Sequence, residues 1–320
     1  MNDLKTVPED FIVEELPNLP FAEEGSYAVL KLTKTGLTTE DALEKLTRLL
    51  HKSRSDFSAA GNKDKHATTT QYVSVKHVQR NTIENAMTKL VPDKLTFSLA
   101  GFLDRPLSTG MLAANRFTVS IRNCTGISSL PFMINYFDDQ RFSKDNVAIG
   151  MLLLKKKFKE AVQHISWHEV QSYLIMHPTD AVGALQKIPP RILTMYVHAV
   201  QSLLWNEVVS SIIEKSKHRS IHYSQGSLAI PLEVIGDRSI PLVGIGTDVT
   251  LYTGVLEKHN LVQGDFLIRQ LPHLTSTGGE RQLLAEVKDF TARWEGSTCI
   301  LSFTLPKGSY ATMLIKQLLT

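Results

Sequence analysis

Cysteine is scarce in this sequence: only two occur among 320 residues, Cys124 and Cys299. Two thiols cannot build a disulfide framework or an all-cysteine metal site, so both of these protein classes are excluded. Long apolar runs are missing as well, since none reaches the roughly 18 residues that a membrane-spanning helix requires. We therefore expect two buried core thiols in a protein of a reducing compartment, with no membrane association.

A strong net charge is also absent. Lys plus Arg number 35 and Asp plus Glu number 32, so the formal net charge is +3. Hydrophobic residues make up 42% of the chain and charged residues 21%, values typical of a globular protein with a full core rather than a disordered, collagen-like or coiled-coil chain. No apolar stretch follows the start at residues 1–5, so we expect no secretory signal and a cytoplasmic protein.

The order of predicted elements favours an α+β fold. Strand-like and helical spacing predict strands at 11–16, 27–32, 71–75 and 115–122, with one helix at 38–53. Helical patterns follow at 147–165, 170–176, 180–187 and 191–215, then a β-rich stretch at 226–268, strands at 284–294 and 298–305, and a helix at 310–319. With 320 residues, one large or two medium domains are expected.

Basic residues are unevenly distributed along the chain, although the net charge is small. Residues 48–80 contain seven Lys or Arg against two acids, and a second basic cluster follows at Lys155, Lys156, Lys157 and Lys159. Basic blocks on a near-neutral chain indicate a surface that faces a polyanion. The alternative, a solvated helix face, stays open for both blocks and is the stronger one for the second.

The segment from Phe57 to Gln71 carries the clearest chemical signal. A strand end runs into Gly61 and a polar turn, and Asp64 lies between Lys63 and Lys65. A carboxylate between two lysines stays ionised and can act as a nucleophile or a base. Composition alone leaves the alternative of an ordinary turn aspartate open.

The segment from Gly61 to Gln71 resembles the catalytic motif G-x-K-D-[KR]-x-A-x-T-x-Q of the TruD-type pseudouridine synthases, whose single essential aspartate corresponds to Asp64. Five other segments resemble family motifs in the same order: Phe11–Glu15, Lys34–Thr38, Arg105–Phe117, Asn135–Phe142 and Leu305–Thr312. Residues 191–206 resemble the family's insertion helix. The resemblance spans residues 11–312, so it covers nearly the whole chain.

Two positions depart from the family pattern. Ser143 follows the Q-R-F triplet where glycine is usual, and Ala114 stands where glycine is common. A side chain at position 143 requires a more conventional backbone angle than glycine does. Neither change removes a functional group.

The resemblance implies both fold and domain organisation. It implies a pseudouridine synthase catalytic domain with a mixed or antiparallel sheet, formed by residues 1–150 and 276–320. A helix-rich α+β TRUD domain would be inserted at residues 151–275. The implied partner is tRNA, and we expect a monomer without an obligate protein partner.

The implied reaction converts uridine to pseudouridine within RNA, most specifically uridine 13 in the D arm of tRNA. The glycosidic bond breaks, the uracil turns over, and C5 bonds to C1′ of the ribose. No redox change occurs, so no cofactor and no metal are expected, in keeping with a sequence that lacks Rossmann, Walker A and zinc-cluster motifs. Asp64 would start the reaction by attack at C1′, attack at C6, or proton removal at C2′, and the sequence leaves all three open.

The resemblance also suggests groups that hold the RNA. Phe137 would stack on the flipped base, with Asn135 and Gln140 as polar contacts, although core packing is the alternative for Phe137. Arg141 would be an anchor or a phosphate contact. Lys34 would touch phosphate or lie near the catalytic loop, and Lys63 and Lys65 would hold phosphates. Gln71 would support the loop or contact substrate.

Three other functions stay open at this point. One is a non-catalytic RNA-binding module on the same scaffold, which a retained Asp64 argues against. Another is a pseudouridine synthase that acts on a different RNA. The third is a carboxylate-dependent hydrolase, which would need a second acid such as Asp138 or Asp139. Those two acids occupy variable motif positions, so we expect them at the surface.

Overall fold

The computed structural model describes residues 3–4, 6–61, 63–91, 93–108, 111–128, 132–143 and 145–319. The chain divides into two compact units. The sheet unit comprises residues 1–132, 286–311 and 318–320, and the helical unit comprises residues 133–285 and 312–317. The sequence places its domain boundaries near residues 150 and 276, and the division into catalytic and inserted domains stays a prediction.

A nine-stranded mixed sheet organises the sheet unit. Its strands are β1 (Asp3–Leu4), β2 (Phe11–Pro17), β3 (Tyr27–Thr35), β4 (Phe57–Ala59), β5 (Thr68–Lys76), β6 (Leu95–Leu103), β7 (Leu112–Arg122), β14 (Lys288–Glu295) and β15 (Thr298–Pro306). The order is β14-β15-β7-β2-β5-β3-β6, with β1 beside β7 and β4 beside β5. Among the described residues, β2 and β5 pair in parallel and the other strand pairs of this sheet are antiparallel. Two short strands, β8 (Phe132–Ile134) and β13 (Leu284–Glu286), lie where the chain passes between units.

The sheet is covered on both faces because β3 alternates. Leu30 and Leu32 face one core, into which the helix α1 (Thr39–Leu50) packs Leu43 and Leu46. Val29 points to the opposite core. Thr38 caps α1 by accepting a hydrogen bond from the amide of Asp41 at 3.0 Å, as its position before the acidic first turn predicts. A second helix, α2 (Arg80–Lys89), joins the first core and was not predicted.

The helical unit is built around one long helix, α7 (Pro190–Ile213). Its other helices are α3 (Asn146–Leu154), α4 (Phe158–Gln163), α5 (His168–Met176), α6 (Ala181–Leu185), α8 (Thr253–Lys258) and most of α9 (Ala311–Leu318). It contains the antiparallel pairs β9 (His218–Tyr223) with β10 (Gly226–Pro231), and β11 (Ser239–Leu242) with β12 (Gly279–Gln282). Where α3 crosses α7, a Cβ on Gly150 would lie 2.2 Å from the Tyr196 carbonyl oxygen, so only glycine permits this close approach.

Most predicted elements are present, and the α+β content agrees with the prediction. Two assignments were wrong. The helix expected at 147–165 is two helices, because the chain turns at Lys156, whose φ is +58°. The stretch 226–268 is β only in part, since α8 and short 3₁₀ turns follow β11. Among the described residues, no helix has the length and apolar character needed to cross a membrane.

Candidate active site

Asp64 lies in the loop between β4 and β5 of the sheet unit, and Lys34 supports this loop from beneath. The fully buried Lys34 ammonium donates to the Asp64 carbonyl oxygen at 2.9 Å and to the Leu37 carbonyl oxygen at 2.7 Å. Burial lowers the pKa of Lys34 to about 8, although the nearby Asp64 charge opposes the change. The position of Lys34 near the catalytic loop is the second of the two roles the motif implied.

Thr39, supported by Gln71, binds the main chain of Lys63, the residue before Asp64. The Thr39 hydroxyl accepts a hydrogen bond from the Lys63 amide at 3.0 Å and donates one to Gln71 Oε1 at 3.0 Å. Gln71 is fully buried, so its side chain lies behind the loop. Gly36, at φ +67°, lets the chain turn from β3 toward α1 and brings Thr39 to this place.

The Lys63 ammonium is directed into the sheet unit. It pairs with Glu15 Oε1 at 2.8 Å and donates to Asn115 Oδ1 at 2.9 Å, and the Lys63 side chain is 16% exposed. Glu15 is buried and also accepts from the Tyr72 amide at 2.7 Å. Burial raises the pKa of Glu15, while Lys63 works in the opposite direction. A phosphate contact by Lys63 would therefore require these internal bonds to break.

The Asp64 side chain itself is half-buried, and its Oδ1 accepts a hydrogen bond from the His66 amide at 3.1 Å. Lys65 is exposed. The loop thus carries the Asp64 carboxylate, and its main chain is held by hydrogen bonds at Lys63 and Asp64. Such a carboxylate can attack an electrophilic carbon or remove a proton without first being ordered.

The helical unit contains four of the predicted contact residues, Asn135, Phe137, Gln140 and Arg141. Phe137 is the residue predicted to stack on the base. Its main chain is bracketed by Asn206, whose Oδ1 accepts from the Phe137 amide at 2.9 Å and whose Nδ2 donates to the Phe137 carbonyl at 2.8 Å. The Phe137 ring meets Trp205 edge-on at 5.7 Å and is only 5% exposed. A base can stack on this ring only if a neighbouring side chain gives way.

Asn135 and Arg141 flank this ring. Asn135 is 7% exposed and its Nδ2 donates to the Gln282 carbonyl at 3.3 Å. The Arg141 guanidinium lies 5.6 Å from the Phe137 ring centroid. Gln140 is exposed in the 3₁₀ turn at Asp139–Phe142.

The expectation that Asp138 is a surface acid was wrong. Asp138 is 2% exposed, its Oδ1 accepts from the Lys316 ammonium at 2.6 Å, and its Oδ2 binds the Thr312 hydroxyl. Asp139 also binds Lys316 and accepts from the Ser224 amide at 2.6 Å. Both acids therefore hold the helical unit together. Among the described residues, no group of three or more His, Cys, Asp or Glu is placed to hold a metal ion.

The second lysine cluster is mostly engaged within the helical unit. Lys155 donates to the His259 carbonyl at 3.0 Å, and Lys156 donates to the Asp265 carbonyl at 2.8 Å. Lys157 pairs with Glu160 at 3.3 Å. These contacts favour a structural role for the three lysines over the predicted role of binding a polyanion.

The two departures from the family pattern are tolerated by ordinary backbone. Ser143 has φ −55° and ψ 144°, which a residue with a side chain adopts freely. Ala114 lies in β7, opposite Leu16 and Pro306. Neither position needs the left-handed conformation that would demand glycine.

Sequence reasoning missed two supporting residues. Thr39 was visible only as part of a helix start, and its contact with Gln71 joins residues 32 positions apart. Arg281 lies in the helical unit beside Asn135 and Phe137. Its place after a glycine-rich stretch carried no functional signal.

A family model described as "tRNA pseudouridine synthase D (TruD)" matches the chain at residues 2–171, 167–230 and 219–318. A tRNA pseudouridine synthase D from Legionella pneumophila (strain Lens) is 30% identical, with 98% of this chain and 94% of the relative aligned. One from Syntrophotalea carbinolica is 26% identical over 99% and 95% of the two chains. One from Aquifex aeolicus is 26% identical over 98% and 97%.

A solved structure from Methanosarcina mazei, whose description names tRNA pseudouridine synthase D (TruD), is similar to the whole chain. The TM-score is 0.69 at 23% sequence identity, and the alignment covers 99% of this chain and 93% of the other. This likeness establishes a shared fold.

Proposed function

The chain belongs to the tRNA pseudouridine synthase D (TruD) family, and we propose that Asp64 starts its reaction at uridine 13 in the D arm of tRNA. As a member of this family it isomerises uridine to pseudouridine in tRNA. The N-glycosidic bond breaks, the uracil turns, and its C5 bonds to C1′ of the same ribose. The proton on C5 then leaves and N1 gains one, so atoms and electrons balance without a redox partner.

The observation that carries the role of Asp64 is the way its loop is held. Lys34 binds the Asp64 carbonyl from a fully buried position, and the Thr39 hydroxyl binds the amide of the preceding residue, Lys63. These bonds fix the main chain on both sides of the carboxylate, so little entropy is lost when it meets the ribose. Attack at C1′, attack at C6 and proton removal at C2′ all need this same ionised group, and all three stay open.

The target base must leave the stack before Asp64 can reach its sugar. We assign Phe137 to stacking on the flipped uracil, which is worth about 1–3 kcal/mol per base. Because the ring is 5% exposed, its neighbours must shift as the base enters. Asn135 would bind the edge of the uracil, and Gln140 and Arg141 would contact the flanking nucleotides.

Lys65 would contact a phosphate beside the target nucleotide; its exposure and its position next to Asp64 in the chain support this assignment. Lys63 and Gln71 would instead maintain the loop.

We further propose that residues 1–150 and 276–320 form the catalytic domain and that residues 151–275 form the inserted TRUD domain. We also propose a cytoplasmic location and a monomer without an obligate protein partner.

The test uses a tRNA transcript labelled in uridine, with a second transcript that carries cytidine at position 13. After incubation with the protein, the RNA is digested and its nucleosides are separated. We expect pseudouridine from the first transcript and none from the second. Product from both would place the target elsewhere in tRNA, and bound RNA without product would indicate the non-catalytic RNA-binding alternative.

A further inference from the structure

Arg281 connects the two residues that we assign to the flipped base. Its Nε donates to the Asn135 carbonyl at 2.8 Å, and its Nη2 donates to Asn135 Oδ1 at 2.8 Å. The same guanidinium lies 4.0 Å from the centroid of the Phe137 ring and 5.4 Å from that of Trp205. One side chain therefore contacts the main chain and amide of Asn135 and the ring face of Phe137.

We propose that Arg281 is a positioning residue that orients Asn135 and Phe137 for the uracil of the target uridine, an inference that rests on the proposed function. Arginine suits this task because its planar fork makes two parallel hydrogen bonds and its face stacks on an aromatic ring. A lysine at this place can make the charge but not the fork. Arg281 reaches the substrate only through the two residues that it holds.

The chemistry of arginine also fixes which way the Asn135 amide points. A guanidinium has donors only, so the atom of the Asn135 side chain that faces it must be the oxygen. The Nδ2 group, a donor, is then turned away from Arg281 and toward Gln282.

The ring of Phe137 is held by the same arrangement. Asn206 fixes its main chain through two hydrogen bonds, and Trp205 meets its edge. Arg281 occupies a ring face at stacking distance. Removing the guanidinium therefore frees both the amide and the ring while the surrounding main chain keeps its bonds.

The test measures single-turnover formation of pseudouridine and the Kd for tRNA separately. Arg281→Lys keeps the charge and removes the fork, and we expect the rate to fall about 10- to 100-fold, as slight misplacement of a binding group does. The Kd should stay within about twofold of wild type, because most affinity for tRNA comes from phosphate contacts. Arg269→Lys, at an exposed position of the same unit, is the matched control and should keep the wild-type rate.

A double-mutant cycle separates positioning from general packing. If Arg281 acts through Asn135, Arg281→Lys should lower the rate much less when Asn135 is already alanine. Guanidinium at millimolar concentration should partly restore the rate of Arg281→Ala and leave Arg269→Ala unchanged.

Three results would overturn the inference: a wild-type rate for Arg281→Lys, fully additive effects in the cycle, or a rate loss that follows only the loss of folded protein seen by circular dichroism. A wild-type protein that forms no pseudouridine in the same assay would instead refute the proposed function.

Discussion

The ammonium of Lys34 lies 2.9 Å from the main-chain carbonyl oxygen of Asp64, so Lys34 holds the main chain of the residue to which we assign the first chemical step. Lys34 comes from the end of β3, where it lies opposite Thr69 of the neighbouring strand β5. A residue of the sheet thus holds the loop that carries Asp64.

Asp64→Asn should abolish turnover and leave the fold intact. The amide oxygen can still accept from the His66 amide, but the side chain is neither nucleophilic nor basic. Pseudouridine formation is measured in single turnover, with tRNA affinity and thermal unfolding alongside. Asp56→Asn, at a half-buried turn acid eight residues earlier in the chain, is the control and should retain activity. More than about one percent residual activity in Asp64→Asn would count against a single essential carboxylate.

Lys34→Met should change how stability depends on pH. The pKa of Lys34 is about 8 in the folded protein and 10.5 as its ordinary value, so between these values the unfolded chain binds more protons. Wild-type stability therefore gains from Lys34 as pH rises from 8 to 10.5. Urea unfolding at pH 7.5, 8.5 and 9.5 should show a flatter rise for Lys34→Met. Lys45→Met, at an exposed position on α1, should keep the wild-type slope; equal slopes in all three proteins would contradict this prediction.

Glu15→Gln should destabilise the sheet unit by about 3–5 kcal/mol, because it leaves the half-enclosed Lys63 ammonium without its counter-charge. Glu15→Gln combined with Lys63→Met should cost less than the sum of the single changes. Urea denaturation measures all three variants. The matched control is Glu14→Gln at the adjacent position. Glu14 pairs with Lys31, and their side chains are 36% and 41% exposed, so this ion pair should contribute under about 1 kcal/mol to stability. Equal losses at positions 14 and 15 would refute the buried-pair interpretation.

Lys65→Ala should lower the salt dependence of tRNA binding, and Lys156→Ala should not. Each lost phosphate contact reduces the slope of log affinity against log salt by about 0.7 to 0.9 units. Lys65 is exposed, whereas Lys156 binds the carbonyl of Asp265 within its own unit. Lys156→Ala should instead lower the melting temperature. A reduced slope for Lys156→Ala would place the second basic cluster on the RNA.

Phe137→Leu should slow pseudouridine formation while tRNA affinity is kept, since the ring is needed only after the base has flipped. The expected loss corresponds to about 1–3 kcal/mol. Phe137→Ala should in addition cost about 3–5 kcal/mol of stability, because the ring is buried against Trp205. Phe158→Leu, a buried site on α4, is the control for repacking alone. A normal rate for Phe137→Leu would leave Phe137 with core packing only.

Several features were predictable because their causes are local. The Thr38 cap, the leucine spacing of α1 and the alternation in β3 arise from interactions between residues close in sequence. The break at Lys156 was not predictable, because this left-handed residue binds the carbonyl of Asp265, a partner more than a hundred residues away in the chain. The buried place of Asp138 depends in the same way on Lys316.

The family, the α+β class and the candidate carboxylate could be identified from the sequence, because motif residues keep their order and spacing along the chain whatever the fold is. Tertiary structure alone decided what the charged side chains face. Lys63 and Lys65 are two positions apart and look equivalent in the sequence, yet Lys63 pairs with the buried Glu15 and Lys65 lies at the surface. The physical reason is that burial and ion pairing depend on residues brought together from distant strands, and hydrophobic periodicity carries no information about such partners.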